Sequence, residues 1–412
     1  MTSYQPKIIL YYFIFTILCT GAIYSEEPKE ENLSFSFDSA KLREIPLTNV
    51  IVDLIVSRFV NNVNEKLPIT LELDAAPVDM AVFSSLISRV RVKEIRLSRD
   101  QGDLLNLLAV ASTIPDLVSV KIDQTALSEA AFSRLAKLEK LQFISLNNVD
   151  IDYVEWVSSL INLKIFQLNS CVVKPSIITQ LLKLPKLEML MVSHTRFERF
   201  IDIANVAKSS SVTSIDLVDC NLTDADFIPW LGSCLKLNRL NLEGNRVNGQ
   251  FCSAIKNMKE LSLLLLTGTL FDNEHVYLLN GADALQDLGL SDTLLSDESV
   301  VDLLKLPKLS GMTLSRTKMS LKGLSLIMRS PKIIGIGLED IGLTDDDLVT
   351  LVGLDNSNLE RLGLAKNKLT DRSIATIKSM KALKKINLFK NAFSRDAVES
   401  LRKSRPETLI GF

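Results

Sequence analysis

Few residues of this 412-residue chain have the types and spacing that catalysis or metal binding requires. The two histidines, His194 and His275, have no cysteine or histidine neighbours at the spacing of a zinc site. The motifs H-E-x-x-H, G-x-S-x-G and G-x-x-x-x-G-K-S/T are absent. The run GIGLED at 335–340 begins like a dinucleotide-binding fingerprint but lacks its third glycine. The sequence therefore predicts that the protein is not an enzyme and has no catalytic residue, cofactor or metal.

The acidic and thiol side chains have structural explanations. Three aspartates at 345–347 follow Thr344, and we expect them in the first turn of a helix, where the helix dipole favours negative charge. Cys19 would leave with an N-terminal signal. The spacing of the other four cysteines resembles no disulfide framework, so we expect free, mostly buried thiols. These four are Cys171, Cys220, Cys234 and Cys252, and a disulfide at either of the last two stays open.

The first 25 residues have the order of an export signal. Lys7 precedes an uncharged run from Ile8 to Ser25, and a charged stretch follows. A basic start, an apolar middle and a polar continuation are typical of a signal peptide. The run is near the lower limit for spanning a bilayer, so an uncleaved signal anchor is the second possibility. We therefore expect a signal at 1–25, a polar linker at 26–32, and a secreted or extracytoplasmic protein, with membrane anchoring as second choice.

A repeated spacing of apolar residues organises the rest of the chain. LNRLNLEGN at 237–245 has the same frame as LERLGLAKN at 359–367. With the first leucine as position 0, apolar residues recur at positions 0, 3 and 5 most often every 24 residues, from Val92 to Leu388. Such a period is typical of a stacked solenoid. Positions 3 and 5 point to one side of a strand, because side chains alternate with period two, so each repeat is predicted to begin with a strand.

Three further positions complete the predicted repeat. Position 8 is mostly Asn, Cys or Thr, whose small side chains can hydrogen-bond the backbone groups that a bend leaves unpaired. Position 11 is Ser, Thr, Asp or Asn in most repeats, which predicts a helix N-cap, and acids often follow at position 12. Position 18 is apolar, as on the buried side of a short helix. Each repeat is therefore expected to be a strand, a turn, a capped helix and a return.

These residues resemble the leucine-rich repeat family, whose pattern is L-x-x-L-x-L-x-x-N/C-x-L. The resemblance covers residues 68–412 in about fourteen repeats. It is a resemblance to the ribonuclease-inhibitor-like and cysteine-containing types and to exported repeat proteins of bacteria. It implies an α/β solenoid of horseshoe shape, with a parallel concave sheet and short convex helices. A solenoid needs capped ends, so residues 33–67, with an amphipathic helix predicted at 50–66, are expected to form the N-terminal cap.

Side chains at strand positions 2, 4, 6 and 7 are expected to line the concave surface. Most of them are polar, but some are large and apolar, and contiguous exposed apolar surface is typical of a binding site. We predict that a protein partner contacts two groups of these residues. The first is a column of Phe143, Ile165 and Met189 with Met191 beside it, and the second is a patch of Leu263 and Leu265. The other possibility is that a neighbouring loop covers these side chains.

Charge adds a second feature to this surface. The chain has 47 basic and 49 acidic residues, and so even a balance predicts no nucleic-acid partner. The concave positions are acidic from Asp216 to Asp340 and then become basic. This polarity is compatible with orientation of a ligand and with ordinary surface charge. The basic residues are Arg361, Lys366, Lys385 and Lys390.

The expected function is that of an exported leucine-rich repeat protein that binds a protein partner through its concave face. Two alternatives stay open. One is an intracellular adaptor resembling the F-box leucine-rich repeat proteins, with 40–66 as a helical partner-binding segment. The other is a structural component of the cell envelope without a discrete ligand. Contact with a membrane is expected only if the N-terminal segment is an uncleaved anchor.

Overall fold

The computed structural model describes most of the predicted solenoid. The predicted signal at 1–25, the linker at 26–32 and the amphipathic helix at 50–66 lie outside the described residues. The described residues are 33–37, 69–74, 80–89, 91–98, 104–123, 127–198, 210–353 and 358–412.

Within these residues, sixteen strands form one sheet, and three two-residue strands, β6, β8 and β10, form a second, smaller one. Neighbouring strands of the large sheet are parallel and follow the chain order. The strands are β1 (Leu33–Phe37), β2 (Ile69–Asp74), β3 (Val92–Ser98), β4 (Ser119–Asp123), β5 (Phe143–Asn147), β6 (Asp150–Ile151), β7 (Ile165–Asn169), β8 (Val172–Val173), β9 (Met189–Ser193), β10 (Arg196–Phe197), β11 (Ser214–Val218), β12 (Arg239–Asn241), β13 (Leu263–Leu265), β14 (Asp287–Gly289), β15 (Gly311–Thr313), β16 (Gly335–Gly337), β17 (Arg361–Gly363), β18 (Lys385–Asn387) and β19 (Leu409–Gly411).

Short helices lie between the strands. The α-helices are α1 (Met80–Arg89), α2 (Leu104–Ala111), α3 (Glu129–Leu135), α4 (Ser176–Leu181), α5 (Asp224–Leu231), α6 (Cys252–Ile255), α7 (Val300–Leu303), α8 (Leu321–Met328), α9 (Asp345–Val352), α10 (Ile374–Ser379) and α11 (Arg395–Ser404). Four 3₁₀ segments are described at Glu155–Ser159, Val276–Leu279, Asp297–Ser299 and Asp371–Ser373. This order confirms the predicted α/β solenoid with a parallel sheet and short helices.

The core consists of the aliphatic positions that the repeat predicted. Leu240 and Leu242, at positions 3 and 5, are fully buried, and so is Ile255 at position 18. Equivalent positions pair across adjacent strands, as in Leu240 with Leu264. Because the strands pair in this register, residues at the same repeat position lie next to each other. Each core position therefore forms a continuous row of side chains along the sheet.

The first strand of the sheet lies inside the segment expected to cap the solenoid. Leu33–Phe37 pairs in parallel and in register with Ile69–Asp74. The sheet therefore begins within the 33–67 segment. The capping role of that segment stays a prediction.

Position 8 binds backbone groups as predicted. The side-chain carbonyl of Asn245 accepts hydrogen bonds from the N–H groups of Cys220 and Leu222, and its amide donates to the carbonyls of Leu217 and Leu242. Asn367 makes the equivalent set of bonds. These amides satisfy groups of their own repeat and of the preceding one, so they fasten neighbouring repeats together.

The predicted helix caps are confirmed at five repeats and wrong at three, those of Asp152, Asn248 and Asp272. After Asp152 and Asn248 the helical segments start only at Glu155 and Cys252. The side chains of Ser128, Ser320, Thr344, Thr370 and Ser394 accept hydrogen bonds from backbone N–H groups in the first turn of the following helix. In the repeat of Asp272 the 3₁₀ segment starts only at Val276, after His275. The Asp272 carboxylate instead lies 2.7 Å from Nδ1 of His275, so it binds a side chain of the turn rather than a helix end.

Acids at position 12 have a role that the helix dipole alone did not predict. The carboxylate of Asp297 accepts a hydrogen bond from the N–H of Ser320, the capping residue of the next repeat. Asp345 binds the N–H of Thr370 at 2.9 Å in the same way. Equivalent bonds are made by Asp224 and Asp371. Each of these acids therefore joins its own helix start to that of its neighbour.

Candidate functional site

Three of the predicted contact residues form one column on the concave side of the sheet. Phe143 pairs with Ile165, and Ile165 pairs with Met189, on strands β5, β7 and β9. All three side chains are half-buried, since each is flanked by its neighbours in the column. We call these three residues the apolar column. Met191 lies on β9 beside the column, two positions after Met189, and is also half-buried.

Side chains along a strand alternate in direction, which explains why these three face outward. Ile144 and Leu146, which flank the position of Ser145 on β5, are fully buried. Residues at odd and even places of a strand point to opposite faces, so Phe143 and Ser145 must share the concave face. The core therefore fixes the direction of the column.

A chain of polar hydrogen bonds runs beside the apolar column. Nδ2 of Asn147 donates to Asp123 at 2.6 Å, and Nδ2 of Asn169 donates to Asn147 at 2.7 Å. The hydroxyl of Ser193 then donates to Asn169 at 2.8 Å. We call Asp123, Asn147, Asn169 and Ser193 the polar ladder. Sequence reasoning missed it, although these four residues occupy position 6 of successive repeats.

An ion-pair cluster borders the column on the side of β4. Nζ of Lys121 lies 5.2 Å from the centre of the Phe143 ring and 3.2 Å from the carboxylate of Glu94. Burial opposes ionisation of Glu94, but hydrogen bonds from Ser119, Arg96 and Lys121 outweigh it and lower the pKa of this carboxyl. The ammonium is thereby held over the ring, a favourable cation–π arrangement.

The other border of the column is Ser214 on β11. Ser214 pairs with Met189 on one side and with Arg239 on the other. Its hydroxyl is buried and has no hydrogen-bond partner among the described residues. Beyond it, Nε of Arg239 lies 3.0 Å from the carboxylate of Asp216. Charged groups therefore enclose the apolar column at both ends.

Leu263 and Leu265 lie apart from the column. They are on β13, three strands away from β9 in the sheet, which corresponds to about 14 Å at the usual strand spacing. Both are half-buried, and Leu265 leans over Gly289, where an added Cβ would lie 2.7 Å from its Cδ2 atom. The six predicted residues thus form two patches, and only the first extends over three adjacent strands.

The four thiols of the described residues are free and buried, as predicted. Burial raises the pKa of Cys220 and of Cys234 to about 11, and it also raises the pKa of Cys171 and Cys252. Neutral thiols are poor nucleophiles and poor metal ligands. The sulfur atoms of Cys171 and Cys220 instead contact backbone carbonyls at the turn, as expected for position 8.

Other chemistry finds no support in the part of the chain that the structure describes. Within it, no three His, Cys, Asp or Glu side chains converge as metal ligands. His194 is exposed, with Nε2 at 3.4 Å from the carboxylate of Asp219. No described helix has the length and apolar character to cross a membrane.

Comparison with known proteins identifies the fold. No family model matches the sequence, and no curated protein matches it. Among solved structures, an internalin from Listeria monocytogenes covers 80% of this chain and 88% of its own length, at 15% identity and a TM-score of 0.52. A leucine-rich repeat protein from Leptospira interrogans covers 83% of this chain and 95% of its own, at 18% identity and a TM-score of 0.46. The protein is a leucine-rich repeat solenoid.

This fold explains where the candidate site lies but not what it binds. In a leucine-rich repeat solenoid the strands supply one broad face, and side chains at fixed positions form columns across it. The same scaffold supports many partners, so function depends on the particular columns. In this protein the face carries the apolar column and the polar ladder on β4 to β9 and a charged region further along the sheet.

Proposed function

We propose that this leucine-rich repeat protein is exported and binds a protein partner on its concave face, with the apolar column at the centre of the contact. The observation that carries the proposal is the register of Phe143, Ile165 and Met189 on consecutive strands of the sheet. Half-exposed apolar side chains in one row offer continuous surface that a partner can remove from water.

The surroundings of the column also favour binding of a protein. The polar ladder is already hydrogen-bonded, so its side chains are ordered before a partner arrives, and less conformational entropy is lost on association. Ion pairs at both ends provide a polar border. An apolar centre with a polar rim is the usual arrangement of a protein–protein interface.

Export rests on the N-terminal sequence. The basic, apolar and polar order of residues 1–32 supports a cleaved signal, with an uncleaved anchor as second choice. Sequencing of the mature N-terminus tests this part. A start near Glu26 supports cleavage, whereas an intact Met1 in a soluble cellular fraction would favour the intracellular adaptor.

Affinity capture from the native compartment tests the binding surface. The variant Phe143→Ser/Ile165→Ser/Met189→Ser should capture the partner at least about tenfold less well than the unmodified protein, because central apolar contacts dominate interface energies. Circular dichroism and thermal melting should show that the variant stays folded, since the three side chains are only half-buried.

A matched control removes three exposed apolar side chains from the helical side. In the variant Tyr277→Ser/Val301→Ser/Val349→Ser the replaced residues are 56%, 65% and 52% exposed. This control should capture the partner normally. Equal capture by the column variant and the unmodified protein would remove the apolar column as the contact site.

A further inference from the structure

The concave face ends in a region of basic residues around one exposed aromatic ring. Arg361 and Lys385 lie side by side as register partners on the adjacent strands β17 and β18. Lys366 and Lys390 occupy position 7 of their repeats, at the rim of the face just after each strand. Phe389 precedes Lys390 and is 51% exposed. We call Arg361, Lys366, Lys385, Phe389 and Lys390 the basic end.

Several acids along the neighbouring strands form ion pairs. Arg316 forms ion pairs with Asp292 and with Asp340, one repeat away on either side. The carboxylate of Asp287 lies 3.7 Å from the guanidinium of Arg361, which extends over Gly335 to reach it. Arg316 is shared by two aspartates and Glu339 has no ion-pair partner among the described residues, so this part of the face keeps a net negative charge.

The lysines of the basic end are not balanced in this way. No described carboxylate forms an ion pair with Lys366, Lys385 or Lys390, and all three side chains are exposed. Lys384, by contrast, is paired with Glu360 at 2.6 Å. Uncompensated positive charge thus collects at one end of a face whose neighbouring part is acidic.

The aromatic ring gives the basic end an apolar contact. The N–H of Phe389 donates to Oδ1 of Asn387 at 3.2 Å, which holds the turn, and Nζ of Lys390 lies 5.5 Å from the ring centre. A ligand that places carboxylates on the ammonium groups can therefore rest an apolar side chain on the ring. This combination suits a peptide, whose acidic and apolar side chains alternate within a few residues.

The acids next to the basic end disfavour a long polyanion. The side chain of Glu339 lies over Gly363, where an added Cβ would be 2.0 Å from Oε1 of Glu339. Asp340 follows Glu339 at the rim, in the repeat that contains β16. A nucleic acid that continued along the face would meet these carboxylates, and its affinity depends on many phosphate contacts. A flat lipid surface would have to enter the concave side of the solenoid.

We propose that the basic end binds a short acidic segment of a protein, with carboxylates on Lys366, Lys385 and Lys390 and an apolar side chain on Phe389. The inference deepens the proposed function, because it rests on a protein being the occupant of the concave face. It uses a different set of residues from the apolar column.

The test measures fluorescence anisotropy of a labelled peptide in which glutamate alternates with leucine, with the full-length protein. The glutamate peptide should bind, added salt should weaken it, and the same peptide with glutamine should not bind. The variant Lys366→Gln/Lys385→Gln/Lys390→Gln should bind the glutamate peptide about tenfold or more weakly, because both the local charge and the long-range attraction are lost. Phe389→Ser should weaken binding by a smaller factor.

The matched control is Lys137→Gln/Lys183→Gln/Lys259→Gln. These three exposed lysines lie in the turns after α3, α4 and near α6, and their replacement changes the net charge by the same amount. Peptide affinity should be unchanged in this control. An equal loss in both variants, or absence of peptide binding by the unmodified protein, would overturn the proposal.

Two further probes and one variant separate the remaining outcomes. Tighter binding of a short single-stranded oligonucleotide or of phosphatidylserine vesicles than of the peptide would also overturn the proposal, because the basic end would then select anions in general. The variant Phe143→Ser/Ile165→Ser/Met189→Ser should keep its peptide affinity. Failure of the apolar column and failure of the basic end are therefore measured independently.

Discussion

The two halves of the sheet share one core but present different surfaces. In the N-terminal half the strands β4, β5, β7, β9 and β11 each have five residues, and large side chains stand at position 2 in the apolar column. In the C-terminal half the strands β12 to β18 have three residues each, and glycines occupy several outward positions. The core-facing residues are buried leucines and isoleucines in both halves.

The glycines change what the charged residues can do. Gly311 and Gly335 leave space on the face of the sheet, and the side chains of Asp287 and Arg361 lie across them. In the N-terminal half the corresponding space is filled by Phe143. One repeat frame therefore carries an apolar surface in one half and an ion-paired surface in the other, because only outward positions differ.

The turns of the two halves also differ in strength. Position 8 in the N-terminal half includes Cys171 and Cys220, whose thiols are weak hydrogen-bond donors. In the C-terminal half it includes Asn245 and Asn367, each with several backbone partners. Acids that bind the next cap are likewise found from Asp224 onward in the described chain.

The largest expected effect on stability comes from the turn. Asn245→Ala leaves the N–H groups of Cys220 and Leu222 and the carbonyl of Leu217 without their partner, and each buried unpaired group costs about 1–3 kcal/mol. We expect a loss of about 3 kcal/mol or more in the free energy of unfolding. Cys171→Ala should lose only about 1 kcal/mol, because a thiol contributes weak bonds. Urea denaturation measures both, and similar losses would break the contrast between the halves.

An intermediate effect is expected from the acids that bind the next cap. Asp345 is buried, which disfavours its charge, but hydrogen bonds from Ser373 and Thr370 outweigh burial and lower its pKa below 3.8. Its folded pKa is lowered, so its stabilisation is present above pH 3.8 and is lost as the pH falls through the folded pKa. Asp345→Asn should therefore lose about 1–3 kcal/mol at neutral pH, and the difference from the unmodified protein should shrink in acid.

Asp346→Asn is the matched control for this prediction. Asp346 is 81% exposed and pairs only with exposed Arg372 among the described residues, so its removal should change stability by less than about 1 kcal/mol. Hydrogen exchange at low pH should show loss of protection first in the C-terminal half, where these acids occur. Earlier loss in the N-terminal half would contradict the assignment.

The smallest effect concerns the rim, where both halves should behave alike. Ser170 and Arg316 have φ values of 54° at position 7, a left-handed conformation that Gly244 and Gly268 adopt in the same column. Replacement by glycine should give a protein about 1 kcal/mol more stable than replacement by alanine at either site, because alanine is strained there. Thermal melting of the four variants measures this difference. If the glycine variant is the more stable one in only one half, the two halves also differ at the rim.

Much of the fold could be predicted from sequence because its rules are local. The apolar frame set the strands, the Ser and Thr residues at position 11 set most helix starts, and the small residues at position 8 marked the turns. The prediction of a helix cap at Asp272 was wrong because the carboxylate of this residue binds His275 instead. The concave direction of Phe143, Ile165 and Met189 followed from strand alternation.

The candidate site was only partly accessible in this way. Sequence reasoning found the apolar column and assigned Leu263 and Leu265 to a second patch, and these two residues do lie on a separate strand. It missed the polar ladder and the bonds from Asp297 and Asp345 to the following repeat. These contacts join residues about 24 positions apart, and a single repeat contains only one partner of each bond.

The sequence by itself determined the repeat, the parallel order of the strands and the face on which each strand side chain lies. These properties depend on a period of two within a strand and on a nearly constant repeat length, both of which are written in the residues. The tertiary structure decided which outward side chains touch, which charges neutralise one another and which stay unpaired. Those outcomes depend on the reach and rotamer of each side chain against its neighbours in adjacent repeats, so they exist only after the repeats have stacked.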